Sequence, residues 1–205
     1  MYKIFLFSLT LLFVACSTHS SPTTTNREKV ENNNSSPLVD LKKALDAYTQ
    51  ATIDNDVPKL INFIYPKVFT VVPKKKMTEV LTKAYQSQHA PKVDHVKHLK
   101  IDPIKSYKEG MFTIVTSSMR TTLKSPNPND FKFESYMLNV IKKGLKGRGS
   151  VEFDKEKHTY SIQHVSRTLA INEGGEWKFA GLKQAKKYAQ KGLLNSVVVD
   201  AIHQQ

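Results

Sequence analysis

The sequence is poor in the residues that announce chemistry. A single cysteine, Cys16, rules out an internal disulfide and leaves the rest of the chain without a thiol for catalysis or metal binding. The longest apolar run, Ile4–Val14, has eleven residues, whereas a helix needs about 20 to cross a bilayer. Walker loops, dinucleotide-binding glycine loops, serine-nucleophile elbows and HExxH are all missing. So is the alternating Asp/Asn series with a central Gly and closing Glu that holds calcium. Arginine is scarce, with four against 27 lysines. Recognition of phosphates and bases favours the planar arginine fork, so a lysine surplus reads first as a solvated surface.

What is present starts at the N-terminus. Lys3, the apolar run and Phe13-Val14-Ala15-Cys16, followed by a Ser/Thr/Asn-rich stretch, resemble a bacterial lipoprotein signal. The resemblance implies a signal peptide over 1–15 and lipidation of Cys16 by a diacylglyceryl group and an N-acyl chain such as palmitate, enough for stable anchoring. Ser17, where an Asp would favour retention in the inner membrane, implies the outer membrane, facing the periplasm. Val30 is the one apolar side chain in 17–37, too little to offset the entropy of ordering. Residues 16–37 are therefore expected to be the lipidated cysteine and a disordered tether, reaching on the order of 25 Å.

Residues 38–205 are long enough for one domain with its own core, and no internal repeat or second linker divides them. With Lys3, Arg27, Lys29, Glu28 and Glu31 set aside, 28 bases face 16 acids. That surplus favours anionic partners, an anionic lipid or polysaccharide of the envelope before nucleic acid.

Leu41, Ala44, Leu45, Tyr48 and Ala51 recur at helical spacing and predict a helix over 38–54. Asp56 caps a second, with Pro58 in its first turn and Val57, Leu60, Ile61 and Ile64 as its buried stripe. Val68–Val72 reads as a short β-branched segment closed by Pro73. A third helix follows over 74–88, with Met77, Val80, Leu81, Ala84 and Tyr85 on one side. Residues 93–106 and 111–123 read as strands joined at Lys108-Glu109-Gly110, and 125–130 as a loop. A helix over 133–144 ends at Gly144, taken as its C-cap. Val151–Asp154, His158–Asn172 and Glu176–Leu182 close the set of strands. The tail from Lys183 returns to helix, broken at Gly192, with Tyr188, Leu193, Val197, Val198 and Ile202 as contacts.

Helices first and antiparallel strands after is an α+β order. Tyr48-Thr49-Gln50-Ala51 leading through Asp54 and Asp56 to Leu60, Phe63, Tyr65-Pro66 and Phe69, with the late hairpin Gly174-Gly175-Glu176-Trp177-Lys178-Phe179-Ala180-Gly181, resembles the NTF2-like (SnoaL-like, cystatin-like) cone. It is also similar to small lipoproteins of this fold in Bacteroidota-type bacteria. The resemblance implies N-terminal helices packed on a strongly curved antiparallel sheet. It further implies a pocket between the two, used in relatives for isomerase or dehydratase chemistry, ligand binding or protein contacts. Homodimers are common in the fold. The helix at 133–144 and an extra C-terminal helix are additions to it.

Three groups of residues are site candidates. Tyr160, His164 and Ser166 share one strand face by period two and would line such a pocket, with His164 the single catalytic candidate. Lys142, Lys143, Lys146 and Arg148, among Gly144, Gly147 and Gly149, form an anion-binding candidate, against which stands a plain helix end with compensating cations. Asp94 and His98 share a strand face, with His95 pointing away; three or four convergent ligands are needed for a metal, and no metal or cofactor is expected.

Fold does not choose a function. The leading expectation is a lipid-anchored envelope protein that binds a partner protein or a small apolar ligand without chemistry of its own. A basic-face binder of anionic envelope components comes second, and a pocket enzyme third.

Overall fold

The computed structural model describes residues 36–204, and the expected signal peptide over 1–15, Cys16 and nearly all of the expected tether over 16–37 lie outside them. None of the described helices is long and apolar enough to cross a membrane. The chain opens with α1 (Pro37–Ile53), α2 (Val57–Asn62), a 3-10 segment (Pro66–Thr70) and α3 (Lys74–Gln86). Strands β1 (Lys92–Ile101), β2 (Lys105–Tyr107) and β3 (Gly110–Lys124) follow, then α4 (Phe131–Leu145). Strands β4 (Gly149–Asp154), β5 (Thr159–Asn172) and β6 (Trp177–Gly181) lead to α5 (Leu182–Gln190) and α6 (Ser196–His203). The class is α+β, with helices packed on an antiparallel sheet and a C-terminal helical addition, an arrangement consistent with the NTF2-like cone.

Two long strands organise the sheet. β3 and β5 pair along their whole length, from Met111 opposite Asn172 to Lys124 opposite Thr159. β1 and β2 divide the outer edge of β3, and β4 and β6 divide that of β5. Period two then defines two faces. Face I carries Phe112, Ile114, Leu169 and Ile171, and face II carries Val115, Ala170, Ile162 and Tyr160.

Each face is covered over part of its length. Phe112, Ile114, Leu169 and Ile171 pack with α2, the 3-10 segment, α3, α5 and α6 through residues such as Ile61, Val68, Met77, Ala185 and Ile202. On face II, Leu41 and Leu45 of α1 meet Val115, Ala170, Trp177 and Phe179. Tyr48 stacks on Phe179, with ring centroids 4.9 Å apart. Further along face II, Met137 of α4 packs on Val151 and Tyr160. The remainder of face I, around Arg120, Gln163 and Ser150, is exposed.

Four local expectations are corrected. Val68–Thr70 lie in the 3-10 segment and Val71-Val72 in the turn after it, where the β-branched run suggested an extended segment: the Val68 and Val71 N–H groups bond back to the Tyr65 and Val68 carbonyls, and Val68 and Val72 are buried. The strand expected over 93–106 breaks at Asp102-Pro103, where Pro103 supplies no N–H to the ladder. Gly144 lies inside α4; Lys146 (φ 50°) and Gly147 (φ 75°) make the left-handed exit, because Leu145 still packs in the α4 cluster. On the amphipathic faces, Val80 and Val197 are 46% and 47% exposed, and Leu194 and Ala201 take the buried positions in the tail.

Candidate functional site

β1 carries two register shifts, between Val93 and His95 and between His98 and Lys100. A bulge puts an extra residue on one strand and breaks period two. The expected face-sharing of Asp94 and His98 is corrected accordingly. Asp94 accepts a 2.6 Å bond from Thr122 Oγ1, on face I, while His98 turns to face II. There its Nδ1 lies 2.9 Å from Ser117 Oγ and its Nε2 3.2 Å from Thr49 Oγ1, pinning α1 to the sheet. Burial lowers the His98 pKa, partly opposed by Asp46, so the imidazole is neutral at pH 7. Among the described residues, no three His, Cys, Asp or Glu side chains converge as metal ligands would.

Tyr160, His164 and Ser166 lie on face II, in different surroundings. Tyr160 is 0% exposed beneath α4, and its hydroxyl donates to the Glu134 carbonyl at 3.3 Å. Ser166 stands opposite Ser117, close to α1. His164 is half-buried opposite Gly149, and its pKa is lowered by burial and by Arg148. The structure therefore separates Tyr160 from the other two and brings His164 to the basic loop, two candidates that the sequence treats apart.

Where they meet, Gly147, Arg148, Gly149 and Ser150 at the start of β4 border a shallow concavity with Ser118, Gln163, Val165 and His164. Arg148 extends the β4 ladder, since its carbonyl accepts from the Val165 N–H at 2.9 Å. That register aims its side chain along face I, beside Gln163 and Ser118. Lys142 and Lys143 remain on the last turn of α4, where cations suit the negative helix end, and Lys146 occupies the exit. Of the four basic candidates only Arg148 borders the concavity.

Arg148 is not alone on that face. Arg120 of β3 stands directly opposite Gln163, and Arg167 of β5 opposite Thr116. All three arginines of the described residues therefore share face I within a few positions of one another. Arg120 and Arg148 are exposed and form no ion pair with a described acid, whereas Arg167 is half-buried and engaged by its neighbours. His95 pairs with Arg120 and Lys97 with Ser118 in the β1 ladder, both exposed. The lysines are dispersed over α1, α3, α4, α5, the turns and the strands, with Lys92, Lys97 and Lys100 of β1 on the outer edge of the same face.

No protein-family model matches the sequence, and no curated protein matches it. A solved structure described as a dehydratase of the NTF2-like family from Streptomyces avermitilis superposes with a TM-score of 0.34 at 11% identity, over 69% of this chain and 90% of that one. Likeness at that level carries no weight for the chemistry of this chain. The arginine face emerges from the strand register. Its one trace in the sequence is the scarcity of arginine itself, three of whose four copies fall on or beside strands.

Proposed function

We propose that this protein is an envelope-tethered binding domain that takes an anionic, phosphate-bearing surface component on the exposed part of face I and performs no chemistry of its own. The observation that carries the reading is the gathering of Arg120 and Arg148 on the exposed part of one sheet face, with the half-buried Arg167 beside them, in a chain that otherwise relies on lysine. Guanidinium forks bind phosphate oxygens in pairs, and lysines act as point charges. The exposed rows of that face, His95-Arg120-Gln163-Ser150 and Lys97-Ser118-Val165, present no Phe, Tyr or Trp ring and only the one imidazole of His95 on which a base could stack, short of the succession of rings that single strands use, which favours a glycolipid or polysaccharide phosphate over single-stranded nucleic acid. The space between α1 and face II is packed with Leu41, Leu45, Val115, Ala170, Trp177 and Phe179, so an exposed surface is a better seat than an internal apolar pocket. Lipidation at Cys16 and a periplasm-facing outer-membrane location belong to the same proposal, since they would hold this face among envelope phosphates.

Vesicle binding tests it. The full chain carrying Cys16→Ser, which can take no lipid, should sediment more strongly with phosphatidylcholine vesicles doped with lipopolysaccharide than with undoped ones, which set the background from the apolar N-terminus. Arg120→Ala with Arg148→Ala should weaken binding about tenfold or more, the scale of losing charge-assisted hydrogen bonds. Lys75→Ala with Lys76→Ala, at the start of α3, removes the same charge and should cost less than about threefold. Equal losses from the two pairs would leave a general charge effect and overturn the reading.

A further inference from the structure

We infer that the concavity around Gln163 is a seat for a phosphomonoester, such as the terminal phosphate of a phosphorylated sugar. The inference rests on the anion-binding reading above and narrows it to one chemical group.

Gln163 is the centre of the arrangement. Arg120 stands across from it on β3 and Ser150 across from it on β4, with Ser118 and Arg148 on the diagonals. Strand spacing puts the Arg120 and Arg148 backbones about 12 Å apart, two strand intervals and one two-residue step, so that both guanidinium groups can reach an anion above Gln163. The Gln163 amide gives one N–H to Ser118 Oγ at 3.4 Å, which leaves its second N–H for a ligand. The Ser118 hydroxyl hydrogen and the Ser150 hydroxyl complete the donors. No carboxylate lines the concavity, and its shallow, open form leaves room for the sugar that carries a phosphate.

The donor set discriminates between anions. Two guanidinium charges match a phosphomonoester, close to −2 at pH 7, better than a singly charged phosphodiester or carboxylate. Donors arriving from both flanking strands and from the floor suit the terminal oxygens of a tetrahedral group, of which a diester has one fewer. Glu152, the next face I residue of β4, repels an anion from that side and confines the seat to the Arg120–Gln163–Arg148 diagonal.

Titration of the isotopically labelled full chain with glycerol 3-phosphate, dimethyl phosphate and acetate, followed by heteronuclear NMR, tests this. Glycerol 3-phosphate should shift the Ser118, Gly149, Ser150 and Gln163 amides together and bind about tenfold more tightly than either of the others. Gln163→Glu, a surface change that puts a carboxylate in the seat, should abolish those shifts while the rest of the spectrum stays in place. Equal affinity for the three anions, or shifts centred on the lysines of α3 or α5, overturns the seat even where the vesicle experiment succeeds. Monoester-selective shifts at Gln163, with vesicle binding indifferent to the arginines, support the seat and defeat the broader reading.

Discussion

Glu173, in the turn between β5 and β6, shows how one side chain ties distant segments together. Its carboxylate accepts hydrogen bonds from Tyr65 Oη at 2.9 Å and Tyr107 Oη at 2.6 Å, and Lys67 Nζ lies 3.1 Å away. The side chain is 18% exposed, and burial alone would raise its pKa. The bonds from Tyr107, Tyr65 and Lys67 outweigh that and hold the carboxyl below its usual range. Burial and the bond to Glu173 push both phenols up in turn. A carboxyl whose folded pKa is depressed stabilises the fold at pH values above its unfolded pKa, and loses that contribution as pH falls through the folded one. Glu173→Gln is therefore expected to cost about 2 kcal/mol at pH 7, the scale of hydrogen bonds to a charged group. The gap from wild type should close below about pH 4, near and under the ordinary carboxylate pKa. Urea melts across that range check it, and a gap independent of pH would show that the carboxylate charge plays no part.

Among the elements, Gly149 fixes how β4 lies against β5. A Cβ there would fall 2.0 Å from the Gln163 carbonyl oxygen and 2.8 Å from the His164 Cα, both backbone atoms that cannot swing aside. Gly149→Ala should push the start of β4 outward at about 1–3 kcal/mol, the range for overpacking. Hydrogen exchange of the Val165 amide, which is bonded to the Arg148 carbonyl, should quicken; unchanged protection would mean that β4 tolerates the methyl group. Much at this scale is legible in the sequence. The helices from α1 to α3 follow from apolar residues at three- and four-residue steps, and the Asp56 side chain accepts from the Lys59 N–H as its position before Pro58 implies. What fails is whatever depends on a partner strand. No periodicity marks the bulges that turn Asp94 and His98 to opposite faces, because each is defined by the β3 residues opposite. The candidate site is half legible for the same reason. Arg148 stands out beside its glycines, but Arg120, Gln163 and Ser118 become its neighbours only once the β3–β5 register is fixed.

Charge acts on the molecule as a whole in two ways that kinetics can separate. The dispersed lysines create a long-range positive field, which raises the rate at which an anionic surface is met and is screened beyond about 8 Å at physiological salt. In the binding mode proposed above, Arg120 and Arg148 act at contact, where hydrogen-bond geometry controls how long a complex lasts. Removing a peripheral charge changes mainly the association rate, and removing a contacting fork changes mainly dissociation. Lys75→Ala with Lys76→Ala should therefore slow association with lipopolysaccharide-doped vesicles by less than about threefold and leave dissociation unaltered. Arg120→Ala with Arg148→Ala should speed dissociation about tenfold while association changes no more than in the lysine pair. Raising the salt should slow association of every variant and narrow the differences among their association rates, with the ranking of dissociation rates preserved. Surface plasmon resonance on captured vesicles resolves both rates. If both pairs altered association alone, binding would be a property of net charge, and the clustering of arginines on face I would have no part in it.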